Sequence, residues 1–396
     1  MTIPEAAGTP APDGGPPARA HSFPEVLGEA ALTAVLSPSS HNCQPWALTR
    51  VVTPGARRAA AALVGQDAPE YLVLGLDRRH QLVALPAHAV EMELSCGVYW
   101  RLLLRGLAAG GWTASAVRVL QDGEGDELRP KAREFWTPLC VAALRPGPPS
   151  GERPAELHAT GLARRTHRGP YRPEPLAAEL LRDLEEDPPT GPYEADEPAV
   201  TVRHLTRPEE LRDFASFVAR WAGRDFAHRR AWRETHSYVR FSAGAAAERG
   251  DGFTLDQLFG PLSGPRRLVM RGALAPAAMA VLGPVGYHRL LAAGLADLVR
   301  HSPAVVTMGL PGAEPGRGAL LRGGARLADY WWRATRLGLS LHPISVVIQH
   351  DDLRELLRRR LGLPGRTFFV ARLGVPAGPA APRSHRRITE ALYETV

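Results

Sequence analysis

Residues 87–107 place Val90, Leu94, Val98 and Leu102 at helical spacing, with Met92, Tyr99 and Leu103 widening the apolar face beside them. A helix this long with so broad an apolar face must be covered on most sides, so the pattern predicts a largely buried central helix. The stretch Glu93-Leu94-Ser95-Cys96-Gly97 reads as core packing, because small residues let another helix approach closely. A second long helix is predicted over residues 317–337, with Gly338 where a C-cap glycine belongs. A chain of 396 residues is long enough for two domains around such helices.

The remaining periodicities arrange themselves around that pair. A helix over 23–36 is stopped by Ser37-Pro38, strands follow at 47–52 and 71–76, and two more at 116–120 and 139–144 flank the far end of the central helix. The Pro/Gly segment 145–154 marks a boundary. Beyond it come helices at 155–163 and 175–184, a Pro/Glu/Asp-rich loop at 185–198, a strand at 200–204 and a helix at 208–221. Residues 224–298 read as helix broken by Gly and Pro. Strands at 304–310, 345–349 and 367–373 and a helix at 351–361 complete the chain. The expected organisation is a disordered tail at 1–22, a first half at 23–147, and a second half at 155–396 carrying a helical insert at about 224–298. Both halves share a helix–strand–long helix–strand plan without a residue-level repeat, so duplication is inferred from layout alone.

Composition narrows the function classes. With 44% hydrophobic and 22% charged residues the chain falls in the soluble globular range, and no apolar run is long enough to span a membrane. The first residues lack the basic and apolar regions of a signal peptide, so a cytoplasmic location is expected. Cys43, Cys96 and Cys140 fit neither a disulfide framework nor a zinc spacing. The net charge of +7 is carried by arginine, with Lys131 the single lysine, and is spread along the chain without a nucleic-acid motif. Arginine also suits the phosphates of small cofactors, because its planar fork binds oxyanions bidentately.

Four strings carry chemistry. Ser37-Pro38-Ser39-Ser40-His41-Asn42-Cys43-Gln44-Pro45-Trp46 packs short polar side chains into one turn; on residue type alone it reads as local capping more readily than as ligand contact. Arg164-Arg165-Thr166-His167-Arg168 concentrates donors after a helix, and alone it reads as a solvated basic face. The third string is Gly338-Leu339-Ser340-Leu341-His342-Pro343-Ile344-Ser345-Val346. The fourth is Arg372-Leu373-Gly374-Val375-Pro376 with the basic segment Pro382-Arg383-Ser384-His385-Arg386-Arg387.

Together these strings resemble the nitroreductase superfamily, and the resemblance covers nearly everything from Phe23 onward. The first is similar to the PSSxNxQPW element, which in that family lies along the flavin ribityl chain and ring edge; this implies FMN contacts at Ser39, Ser40, Asn42 and Gln44. The arginine run resembles the RRSxR-type element that grips the FMN phosphate. It implies phosphate contacts from Arg164, Arg165 and Thr166, with Arg168 near the flavin pyrimidine. The third is similar to the turn whose backbone approaches flavin N5, implying Pro343, Ile344, Ser345 and Val346 at that edge, although many members carry Glu-Gly where this chain has Ser-Val. In the fourth, Arg383, Arg386 or Arg387 would close over the phosphate, and the block of basic residues leaves the choice open.

Ordinary members are dimers with FMN at the interface. Here the serine-rich element lies in the first half and the arginine elements in the second, as in the fused, double-domain, Acg-like branch. The resemblance implies an α+β pseudo-dimer in which each half packs an antiparallel-type sheet with helices, around one composite site. It implies an FMN-dependent oxidoreductase passing hydride through flavin N5 to or from a small-molecule substrate, with NAD(P)H as an expected donor and no obligatory catalytic side chain. Two alternatives are a non-catalytic flavin-sequestering protein and a biosynthetic flavin dehydrogenase acting on a peptide or carrier-bound metabolite. A monomer or homodimer is expected, without nucleic acid, membrane or metal. The acidic pairs read as caps, His228, His236, His288 and His301 lack ligand spacing, and no P-loop or GxSxG elbow occurs.

Overall fold

A computed structural model describes residues 22–186 and 199–396. The expected tail (except Ser22) and residues 187–198 of the expected acidic loop lie outside the described residues.

The first half runs through α1 (Phe23–Ala34), β1 (Trp46–Val51), α2 (Pro54–Val64), β2 (Glu70–Asp77), α3 (Pro86–Ala109), β3 (Trp112–Val119) and β4 (Trp136–Pro146). The second opens with α4 (Pro154–Ala163), α5 (Ala178–Glu185), β5 (Thr201–Leu205) and α6 (Pro208–Ala227). Short elements follow: α7 (Arg229–Ser237), β6 (Val239–Arg240), α8 (Ala243–Arg249), β7 (Phe253–Thr254), α9 (Leu255–Phe259), α10 (Gly264–Ala273) and α11 (Pro276–Leu282). Then come α12 (Tyr287–Arg300), β8 (Ala304–Leu310), α13 (Arg317–Arg336), β9 (Ser340–Pro343), α14 (Asp351–Leu361), β10 (Arg366–Gly374) and β11 (Tyr393–Thr395). Proline opens α2, α3, α4 and α6, where its missing N–H lacks an intrahelical partner in any case. No helix of the described residues is long and apolar enough to cross a membrane.

Two sheets carry the same wiring. The first is ordered β11-β1-β2-β4-β3 and the second β5-β8-β10-β9. Leaving β11 aside, each sheet runs first, second, fourth, third strand, every neighbouring pair is antiparallel, and a long helix joins the second strand to the third. Common topology thus supports the related halves that layout alone implied. Two expectations need correction. The strand expected at 345–349 is a 3-10 turn at Ser345–Val347; the strand, β9, precedes it, because its partner β10 pairs with Ser340 to Pro343. The second half also does not keep the whole of 155–396: β11 returns to the first sheet and pairs parallel with β1, Leu48 opposite Tyr393.

The central helices α3 and α13 pack on each other, and their contact holds one core that draws residues from both sheets. Gly97 and Gly324 make the approach possible. A Cβ on Gly97 would lie 2.4 Å from the Leu321 carbonyl oxygen, and one on Gly324 would lie 2.2 Å from that of Leu94. Along β8, Val306 and Met308 face this shared core while Val305 faces a second one formed with α6, α12 and α14, as strand alternation requires. A third core seats α2, a helix that the apolar periodicity does not reveal, on the outer face of the first sheet.

Candidate functional site

The serine-rich turn is strained and clamped. Among the described residues, His41 (φ 51°), Asn42 (φ 53°) and Gln44 (φ 53°) are the only non-glycine residues with positive φ. Left-handed backbone costs an L-residue about 1–2 kcal/mol, so three in one turn persist only where the surroundings over-determine them. Those surroundings come from far along the chain. Gln44 donates through Nε2 to the Gly250 carbonyl at 2.7 Å, and its Oε1 accepts from the Arg387 backbone N–H at 3.0 Å. Asn42 donates to the carbonyls of Gly252 and His385 and accepts from Arg386 at 2.6 Å.

The arginine run begins where α4 ends. Arg164 leaves helical geometry (ψ 133°), is buried, and places its guanidinium 5.0 Å from the Trp331 ring centre. Arg165 reaches the Ala381 carbonyl at 3.1 Å, and Arg168 the Gln257 carbonyl at 3.1 Å. Arg372 on β10 fixes the run from below, donating to the Gly169 carbonyl at 3.1 Å and to the Ser302 hydroxyl at 2.7 Å. None of Arg164, Arg165, Arg168 and Arg386 pairs with a carboxylate among the described residues. Burial, reinforced by Arg386 and Arg165, pushes Arg164 well below the usual guanidinium range. Arg386 is pushed down to about 10 by burial and by Arg165, and Arg168 to about 10 by burial. The Nε atoms of Arg164 and Arg386 are buried without a partner. A cationic cluster with orphaned donors is what an oxyanion would complete.

The turn and the run meet on one cavity of about 290 Å³, at the small end of ligand pockets (~300–1,000 Å³). Of the residues expected at the site, Ser39, Ser40, Asn42, Arg164, Arg165, Thr166, Arg168, Pro343 and Ser345 line it. Arg386 does not line the cavity but donates to Asn42, which does; Arg387 is spent on Asp77 at 3.0 Å, and Arg383 is exposed. Besides Arg386, four expected residues are not brought to the cavity wall. Gln44 is fully buried and its amide clamps the turn; Ile344 belongs to the core against α6 and Val346 packs on that core; Arg383 faces solvent.

Other residues complete the wall. Glu91, Leu94, Ser95 and Val98 come from α3 and Trp331 from α13. Phe253, Gln257 and Leu258 of the insert and Ala381, Pro382 and Ser384 of the C-terminal segment also line it. Glu91 had a signal in the sequence, a carboxylate one turn from Ser95 on a helix read as buried. The insert residues had none, since their position depends on contacts such as Gln257 to the Arg383 carbonyl (2.9 Å).

"Probable NAD(P)H nitroreductase PigM" of Serratia sp. is 31% identical over 371 residues, spanning 92% of each chain. The chain belongs to the nitroreductase family of oxidoreductases. No family model matches it. Solved structures that superpose on parts of it include the FMN-dependent nitroreductase NfnB of Mycobacterium smegmatis in complex with NADPH (TM-score 0.35, 16% identity, 60% of this chain and 96% of that one). A nitroreductase-like family protein from Bacillus cereus superposes with a TM-score of 0.33, 13% identity, over 59% of this chain and 91% of that one.

Proposed function

We propose that this protein is an FMN-dependent oxidoreductase that passes hydride between NAD(P)H and a small-molecule partner through one composite site. The observation that carries the reading is the uncompensated arginine cluster, with its two orphaned Nε atoms, facing a strained polar turn from the other half. Arg164, Arg165, Thr166 and Arg386 would hold the phosphate, since charge-assisted donors of this kind suit a dianion. Ser39, Ser40 and Asn42 would hold the polar chain and ring edge, and Arg168 would bias the ring toward accepting negative charge. When bound, FMN supplies the two-electron chemistry. The residues of this chain would bind it, orient it and exclude water, with Phe253 and Leu258 from the insert and Ala381 and Pro382 from the C-terminal segment lining the cavity.

The test is cofactor extraction from the purified protein, followed by anaerobic reduction with NADH and NADPH. The expected result is a yellow protein that releases FMN and bleaches with one of the two donors. Arg165→Ala removes one charge-assisted contact, worth about 1.5–3 kcal/mol, so FMN should bind roughly ten- to a hundredfold more weakly. Unchanged occupancy in Arg165→Ala would count against the phosphate assignment. The lining contributed by the insert also gives weight to a dedicated biosynthetic substrate: faster turnover on one metabolite than on nitroaromatics or quinones would select that reading.

A further inference from the structure

Among the described residues, Glu91 is the only carboxylate on the cavity wall. Its Oε2 accepts from the Ser40 hydroxyl at 2.6 Å and its Oε1 from the Gln349 amide at 3.1 Å. No arginine or lysine pairs with it among the described residues. The groups that face it are Ser40 and His41 of the strained turn, His88 one turn earlier on α3, Gln349 after β9, Asp225 on α6 and the buried Cys43 thiol. His88 is itself engaged by Glu234 at 2.9 Å. Burial pushes the Glu91 carboxyl above the usual carboxylate range, His88 and the two hydrogen bonds pulling the other way. Both carboxyl oxygens accept, whereas a glutamine would set its NH2 against one of these two donors, so the pair of hydrogen bonds selects a carboxyl at this point of the cavity wall.

From Glu91 a line of exchangeable protons leads away from the cavity. Ser40 Oγ lies 3.1 Å from His41 Nδ1, and His41 Nε2 lies 2.9 Å from the Thr235 hydroxyl on α7, a half-buried residue. With Ser40 donating to Glu91, the consistent tautomer places the imidazole proton on Nδ1, leaving Nε2 to accept from Thr235. His41 is pushed down to about 3 by burial, with His88 and Arg168 adding to it, so it is a neutral imidazole able to accept at one nitrogen while donating from the other.

We propose that Glu91 is the catalytic acid of this site and that Ser40, His41 and Thr235 form its proton supply. The inference rests on the flavin reading above and deepens it. The acceptor class is a small molecule with a polar double bond, such as a quinone carbonyl or a nitroso group. Its double bond opens as hydride from the reduced flavin adds to one atom and the Glu91 proton adds to the other. Glu91 is left as a carboxylate and regains a proton from Ser40. Ser40 is refilled from His41 Nδ1, and His41 at Nε2 from Thr235 and solvent.

The experiment uses the FMN-loaded full chain and the Glu91→Gln variant, with 1,4-benzoquinone as probe. FMN retention and reduction by NAD(P)H should stay within a few-fold of wild type, because Glu91 is not among the phosphate contacts. Reoxidation of the prereduced protein by quinone should slow by roughly 10²–10⁴-fold, the usual range for a lost general acid. The fall of that rate with rising pH should disappear, and Glu91→Asp should restore part of it. Infrared difference spectra of the flavin-free protein should show a protonated carboxyl band at neutral pH that Glu91→Gln lacks. Thr235→Val, which leaves the α3 core intact, should slow repeated turnover more than a single reoxidation. Reoxidation by Glu91→Gln at the wild-type rate and with the wild-type pH profile overturns the proposal, as does absence of the carboxyl band. Wild-type protein that binds no FMN overturns the flavin reading instead, and the infrared band still decides the state of Glu91. Should Glu91→Gln fail to fold, equal slowing of single and repeated turnover in Thr235→Val overturns the relay.

Discussion

His41 carries two constraints at once: a left-handed backbone (φ 51°) and an imidazole held neutral by burial. The second constraint makes a pH prediction. A histidine whose folded value falls to about 3, against about 6.5 unfolded, binds more protons unfolded than folded between those limits. Its contribution to stability is therefore complete above pH ~6.5 and is lost as the pH falls toward the folded value. His41→Asn keeps a residue that tolerates the left-handed region and removes the titration. Its thermal midpoint should fall less steeply than wild type between pH 6.5 and 4; parallel curves would contradict the burial of a neutral imidazole. The same turn shows what single residues disclose in a sequence. Ser39, Ser40 and Asn42 reach the cavity as their string implies, and so do Arg164, Arg165, Thr166 and Arg168. Gln44, in the same string, does not, because its direction is set by Gly250 and Arg387, more than two hundred and three hundred residues away. A string states residue type and spacing; the partner that turns a side chain toward or away from a cavity is absent from it.

At the scale of elements, the crossing of α3 and α13 is the joint on which the cavity depends, since Leu94 beside Gly324 also lines it. Gly324→Ala would gain up to about 1 kcal/mol of helix propensity. Its methyl group meets backbone 2.2 Å away, which no rotamer change relieves. Overpacking of this kind costs about 1–3 kcal/mol or more, so net destabilisation and reduced FMN retention are expected. Gly28→Ala, on the exposed side of α1 with nothing within 4 Å, should instead be neutral or stabilising by up to about 1 kcal/mol. Urea denaturation of both variants separates the cases; equal stabilities would show that the helices are free to move apart. Long periodic helices such as α3 and α13 were legible because burial imprints a 3.6-residue pattern on them. Helix α2, PGARRAAAALV, was not: its buried face is made of Ala56 and Ala60, and alanine carries too little hydrophobic contrast to mark a face. Strand β11 is three residues long, and only its pairing with β1 makes it a strand.

Among the described residues, the cavity lined by Glu91 and a second cleft lined by Arg101 and Asp329 both lie beside the central helices, and their charge balance separates them. In the second, Arg101 and Arg105 each reach Asp329 at 2.9 Å, Arg105 also binds Glu152 at 2.5 Å, and Arg333 pairs with Asp183. Three of the four arginines lining this cleft already have a carboxylate among the described residues, Arg336 being the exception, so an incoming phosphate would have to break ion pairs to gather more than one of them. In the first cleft Arg164, Arg165 and Arg386 pair with no carboxylate among the described residues; they meet backbone carbonyls, the Asn42 amide and the Trp331 ring, and each is depressed by a neighbouring arginine as well as by burial. Fusion has thus left two related halves with unequal clefts, and the expected stoichiometry is one FMN per polypeptide, where a symmetric two-site dimer of separate chains would hold one per chain and two per fold. The cluster should also be more stable when filled, because a bound dianion relieves repulsion among cations that folding alone brings together. Added FMN should therefore raise the thermal midpoint of the flavin-free protein, with saturation at one equivalent in a titration followed by flavin fluorescence. Inorganic phosphate should raise it in the same direction but more weakly, because it fills only the arginine end. Saturation at two equivalents would place a second flavin in the ion-paired cleft and remove the argument from charge balance.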